Sequence, residues 1–68
     1  MKIFQEHLIE LRKQFGYTQR EITLKLNISQ QSYIRYEIGT SEPTLENLCK
    51  LADIFDVSID YLLGRADI

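Results

Sequence analysis

Sixty-eight residues allow one domain around one core, which excludes enzymes that need a second core or a cleft between domains. Hydrophobic residues make up 44% and charged residues 26%, values that set aside a disordered, collagen-like or coiled-coil chain. The formal charge is −2, unevenly spread: residues 1–40 carry six cations against four anions and residues 41–68 two against six, so an anionic partner belongs on the first half. A chain this short often leans on a disulfide, a metal or a second copy. Cys49 is the single cysteine and His7 the single histidine, so no internal disulfide and no zinc-type ligand set is expected, and no cofactor. Oligomerisation is left. No apolar run is long enough for a membrane span, and the opening Met1-Lys2-Ile3-Phe4 lacks the pattern of a signal peptide, so a cytoplasmic chain is expected.

Phe4, Leu8, Leu11 and Phe15 recur at i, i+4, i+7 and i+11, one face of a helix, and Gly16 follows where a left-handed residue stops it. The first helix is therefore expected over about residues 3–15. Thr18-Gln19-Arg20-Glu21 has the form of a capping box, in which Thr18 Oγ1 accepts the Glu21 N–H and the Glu21 carboxylate accepts the Thr18 N–H. It opens a short second helix with Ile22 and Leu26 on one side, ended by Asn27, which tolerates positive φ. Ser29 caps a third helix from Gln30 to Glu37, with Tyr33 and Tyr36 inward, until Gly39 breaks it. Thr40-Ser41-Glu42-Pro43 is loop chemistry, and Thr44 caps a fourth helix with Leu45, Leu48, Leu51, Ala52 and Phe55 on one stripe. Cys49 falls among them and is expected as a packed small hydrophobe. Ser58 caps a short fifth helix, Ile59 to Leu63, closed by Gly64. Without a β-period run or a repeat, the chain reads as all-α: one domain over residues 1–68, with the last two helices at about 44–63.

Two short helices joined by a tight turn, here about residues 18–38, have the layout of a helix-turn-helix. The run Gly16-Tyr17-Thr18-Gln19-Arg20-Glu21-Ile22, the run from Asn27 to Gly39, Pro43-Thr44-Leu45 and the run from Leu51 to Gly64 closely resemble the phage repressor and Cro type of helix-turn-helix, also called the xenobiotic-response-element type. The resemblance covers roughly residues 7–64. It implies a five-helix, lambda-repressor-like DNA-binding domain with the third helix in the major groove of double-stranded DNA. Base contacts are implied for Gln30, Gln31, Ser32 and Arg35: a glutamine amide pairs with adenine N6 and N7, and a guanidinium fork fits guanine O6 and N7. Gln19 is implied to meet a phosphate with its amide, which positions the protein and specifies nothing. Thr40 and Ser41 could bond the DNA backbone, although turn formation accounts for them equally well. Arg12 and Glu37 stand where the family forms an ion pair between the first helix and the end of the third.

Departures from the pattern are Thr23 where alanine is usual, Asn27 where glycine is usual, and Ile38 where Arg or Asn would offer a phosphate contact. Leu24, Ile34 and Ile9 are expected on exposed faces. Members of this class bind as two-fold dimers to half-sites about 34–36 Å apart, and Ile59, Leu62 and Leu63 are expected to form the dimer contact, being more apolar than one short helix needs. The resemblance implies a transcription regulator, a repressor, that binds a pseudo-palindromic operator as a homodimer. The alternative is a protein-interaction module, an antitoxin-like or antagonist protein that uses this fold to hold a partner, which net acidity and exposed Ile34 and Ile38 favour; a protein antagonist is a possible further partner of the regulator. An enzyme is not expected, since no nucleophile has a base to pair with, and neither reading involves a membrane.

Overall fold

Side-chain spacing and capping chemistry set five helices in the computed structural model, which describes residues 2–67: α1 Lys2–Gln14, α2 Gln19–Leu26, α3 Gln30–Ile38, α4 Leu45–Phe55 and α5 Ile59–Leu62. The capping box at Thr18 and Glu21 is formed as expected, and Ser29, Thr44 and Ser58 each accept the N–H three residues on. Such caps satisfy donors that have no partner inside the helix. At the other ends, Asn27 (φ 58°), Gly39 (φ 84°) and Asp56 (φ 52°) turn the chain through the left-handed region. Asn27 thus takes the conformation its glycine-like position demands.

Packing is shared: α1 rests on α3 and α5, α2 on α3 and α4, and α4 on α5. Phe4, Leu8, Leu11, Ile22, Leu26, Tyr33, Tyr36, Leu48, Leu51, Ala52, Phe55 and Leu62 form the core. Thr23 is buried against it, and its hydroxyl donates to the Arg20 carbonyl at 2.7 Å. That back-bond is how a hydroxyl is accommodated where alanine would be simpler. His7 joins α1 to α5, with Nδ1 2.7 Å from the Tyr61 carbonyl oxygen and its ring stacked on Tyr61 at 4.3 Å. No helix among the described residues is long and apolar enough to cross a membrane.

Several expectations need correction. The first helix closes at Gln14, so Phe15 sits in the turn, 46% exposed, with its ring edge-on to Phe55 at 5.4 Å. Leu45 is 82% exposed and Cys49 is exposed. At about 100° per residue they lie roughly 20° and 60° past Ala52, outside the arc that Leu48, Leu51, Ala52 and Phe55 turn inward. Leu62 is fully buried in the chain's own core, so it has no surface to give a second copy, whereas Ile59 and Leu63 are half-buried. Ile9 and Ile34 are half-buried rather than exposed, while Leu24 is 70% exposed as expected.

Candidate nucleic-acid interface

Helix α3 has two opposed faces. Tyr33, Tyr36 and Glu37 turn inward, none more than 6% exposed. Gln31, Arg35 and Ile38, at i, i+4 and i+7, form an exposed outward stripe, flanked by exposed Gln30 and half-buried Ser32. Gln31 and Arg35 therefore share one side of the helix, with Gln30 and Ser32 at its edges. Amide, guanidinium and hydroxyl groups along it are donors and acceptors of the kinds that base edges pair with. Ser32 Oγ accepts the Ser29 hydroxyl at 2.9 Å, and Ser29 Oγ accepts the Ser32 N–H at 3.1 Å. Ile38, read from sequence as a lost phosphate contact and as exposed apolar surface, extends the same stripe and is 60% exposed.

The inward face is fastened by one carboxylate. Arg12 Nε donates to Glu37 Oε2 at 2.7 Å and Arg12 Nη2 to Oε1 at 3.4 Å, with side chains 15% and 5% exposed. Arg12 Nη1 also donates to the Tyr17 carbonyl at 3.1 Å, so the guanidinium spans α1, the connector to α2, and α3. The Tyr33 hydroxyl donates to Glu37 Oε2 at 2.5 Å and Gln19 Nε2 to Oε1 at 3.1 Å. The expected Arg12 and Glu37 partners are thus brought together, and Tyr33 and Gln19 join them. Spacing of i, i+4 between Tyr33 and Glu37 was a readable signal for the first; nothing local linked Gln19 to Glu37.

Burial by itself pushes the Glu37 carboxyl up, but hydrogen bonds from Arg12, Tyr33 and Gln19, with the Arg12 charge, outweigh it and hold the group below the usual carboxylate range. The hydrogen bond to Glu37 raises Arg12 despite its desolvation. Burial first, then the Glu37 carboxylate, lifts the Tyr33 phenol well above its usual range. Near neutral pH the network is therefore one anion, one cation and one neutral phenol.

The far end of α3 is held from α1. Gln5 Nε2 donates to the Glu37 carbonyl at 3.4 Å, and its side chain lies over Gly39, where a Cβ would come within 2.5 Å of Gln5 Oε1. Thr40 follows, its N–H donated to the Arg35 carbonyl at 3.1 Å; its side chain is exposed and that of Ser41 half-buried. Gln19 opens α2 and is half-buried by its tie to Glu37. Asn47 Nδ2 donates to the Tyr36 hydroxyl at 3.1 Å, bracing α3 against α4.

A family model described as Helix-turn-helix matches residues 8–62. The chain is 46% identical over 65 residues to the cryptic phage CTXphi transcriptional repressor RstR of Vibrio cholerae, a match over 96% of this chain and 57% of that protein. It is 40% identical over 63 residues to the HTH-type transcriptional regulator ImmR of Bacillus subtilis, across 93% of this chain and 50% of that one. The crystal structure of a transcriptional regulator from Listeria innocua superposes with a TM-score of 0.86 at 35% identity, covering 93% of this chain and 59% of that chain. The chain thus spans about half the length of the curated relatives it matches.

Proposed function

The chain belongs to the helix-turn-helix family, and from that premise we propose that it is a sequence-specific DNA-binding transcriptional regulator, a repressor, that takes a pseudo-palindromic operator in the cytoplasm as a homodimer. The observation that carries the reading is the division of α3: Gln31 and Arg35 outward with Gln30 and Ser32 beside them, and Tyr33, Tyr36 and Glu37 locked inward. A reading helix must present its base-contacting groups from a rigid support, because phosphate contacts and scaffold set the register in which base edges are met. Repression follows by occupancy of the operator. Gln19, Thr40 and Ser41 serve the DNA backbone at the two ends of the motif.

The homodimer draws on Ile59 and Leu63, half-buried on the monomer, and on Leu45, the most exposed large hydrophobic residue among the described residues. Two copies related by a two-fold axis present two reading helices to half-sites about 34–36 Å apart.

Selection of bound duplexes from a random-sequence pool at near-physiological salt tests the reading. A symmetric motif with half-site centres about 10 base pairs apart is expected. In that motif Gln31→Ala and Arg35→Ala each relax preference at particular base pairs, by about 1–3 kcal/mol, while Gln19→Ala weakens every sequence alike. Absence of enrichment with folded protein overturns it in favour of a protein-interaction module, for which exposed Leu24 and Ile38 supply apolar surface.

A further inference from the structure

The Glu37 carboxylate lies against three elements at once, and one of its partners is the residue assigned to the DNA backbone. Glu37 Oε1 accepts from Gln19 Nε2 at 3.1 Å and from Arg12 Nη2 at 3.4 Å, while Oε2 accepts from Arg12 Nε and the Tyr33 hydroxyl. An amide nitrogen carries two N–H groups. One is committed to the carboxylate, and Gln19 remains half-exposed at the first position of α2. A glutamine there that was free to rotate would present its carbonyl oxygen outward as readily as its nitrogen. A phosphate accepts hydrogen bonds and repels that oxygen.

We propose that Glu37 is a positioning residue for the DNA-backbone contact: by taking one N–H of Gln19 it holds the amide in one orientation, leaving the second N–H to donate to a phosphate. The inference rests on the DNA-binding reading above and adds a role for Glu37 beyond tying α1 to α3. Its consequence is coupling, because the value of Gln19 depends on the residue at position 37. Arg12 and Tyr33 are the charged and titratable groups that face the carboxylate from α1 and α3, and the partner from α2 is neutral Gln19. Glutamine at position 37 keeps its oxygen toward Arg12 Nε and the Tyr33 hydroxyl, so its NH2 stands where the carboxylate oxygen faced Gln19; the acceptor for the Gln19 N–H is lost while the shape is preserved.

The test combines DNA affinity with a spectroscopic readout on the whole chain. Binding to the selected operator duplex is measured for wild type, Gln19→Ala, Glu37→Gln and the double variant, at a temperature where circular dichroism shows each folded. Gln19→Ala is expected to weaken binding about tenfold in the wild-type background, the size of one charge-assisted hydrogen bond, and less than about threefold beside Glu37→Gln. Equal losses in both backgrounds overturn the proposal. In free wild-type protein, one Gln19 side-chain amide proton is expected downfield of ordinary glutamine in the NMR spectrum. Two ordinary resonances overturn the proposal even if Glu37→Gln does not fold. Failure of wild-type protein to select any duplex overturns the DNA-binding reading itself, and the role proposed for Glu37 with it, whatever the spectrum shows.

Discussion

Replacing Arg12 with methionine keeps a long side chain but removes the cation from a carboxylate that is 5% exposed. Glu37 then retains only the Tyr33 hydroxyl and Gln19 amide as donors. Breaking a buried pair by removing one partner costs about 3–5 kcal/mol, because the charge left behind stays desolvated. Arg12 keeps 15% of its side chain in contact with solvent, which puts the expected loss at the lower end, about 3 kcal/mol. For a domain of this size that lowers the melting temperature by about 12–24 °C. The pH dependence separates this mechanism from lost packing. In the wild type Glu37 is held below the usual carboxylate range, so the pair's stabilisation is present above the unfolded carboxylate's titration and is lost as pH falls through the lower folded value. In Arg12→Met the main remaining influence is burial, which raises the group; Glu37 then takes a proton on mild acidification and the penalty is relieved. Urea unfolding followed by circular dichroism at about pH 7 and about pH 4 should therefore show a wide gap between the two proteins that narrows in acid. A constant gap across that range, or a loss below about 1 kcal/mol near neutrality, refutes the buried-charge account.

Tyr33→Phe removes one hydrogen bond to the same carboxylate while Arg12 stays, so urea titration should give a smaller loss of about 1.5–3 kcal/mol. Leu62→Ala opens a void in the core and should cost about 2–5 kcal/mol in thermal melts. Leu45→Glu, on an exposed position, should leave stability within about 0.5 kcal/mol. Light scattering of that variant should give a lower mass than wild type at equal concentration, and an unchanged dimer mass removes Leu45 from the interface. Asp56→Gly relieves a positive φ and takes an anion away from the negative end of α4; chemical denaturation should show a gain of about 0.5 kcal/mol.

The elements were legible because capping chemistry is local. Thr18 with Glu21, Ser29, Thr44 and Ser58 announce their helix starts, and Asn27 and Gly39 their ends, without reference to the rest of the chain. The inward positions of Tyr33 and Tyr36 followed from spacing, whereas the outward residues of α3 were implied by the resemblance. What failed was the width of a face and the direction of an excess. The stripe on α4 includes Leu45 by spacing, but α2 and α5 cover only the arc centred on Leu48, Leu51 and Phe55. Helix α5 looked too apolar for its four residues, which suggested a second copy. It packs on both α1 and α4, so it is enclosed from two sides and Leu62 goes inward. Resemblance implied Arg12 and Glu37 as partners and i, i+4 spacing offered Tyr33, yet the link of that carboxylate to Gln19 emerges only once α2 and α3 converge. A surface charge and a buried hub look alike in sequence. Charge counting along the chain therefore treats Glu37 as one free anion offsetting a basic half, when it is paired with Arg12 and the two opposite charges largely cancel in the field a DNA phosphate meets. Without that pair the first half keeps five cations against three anions, so its excess of positive charge rests on side chains the solvent can reach.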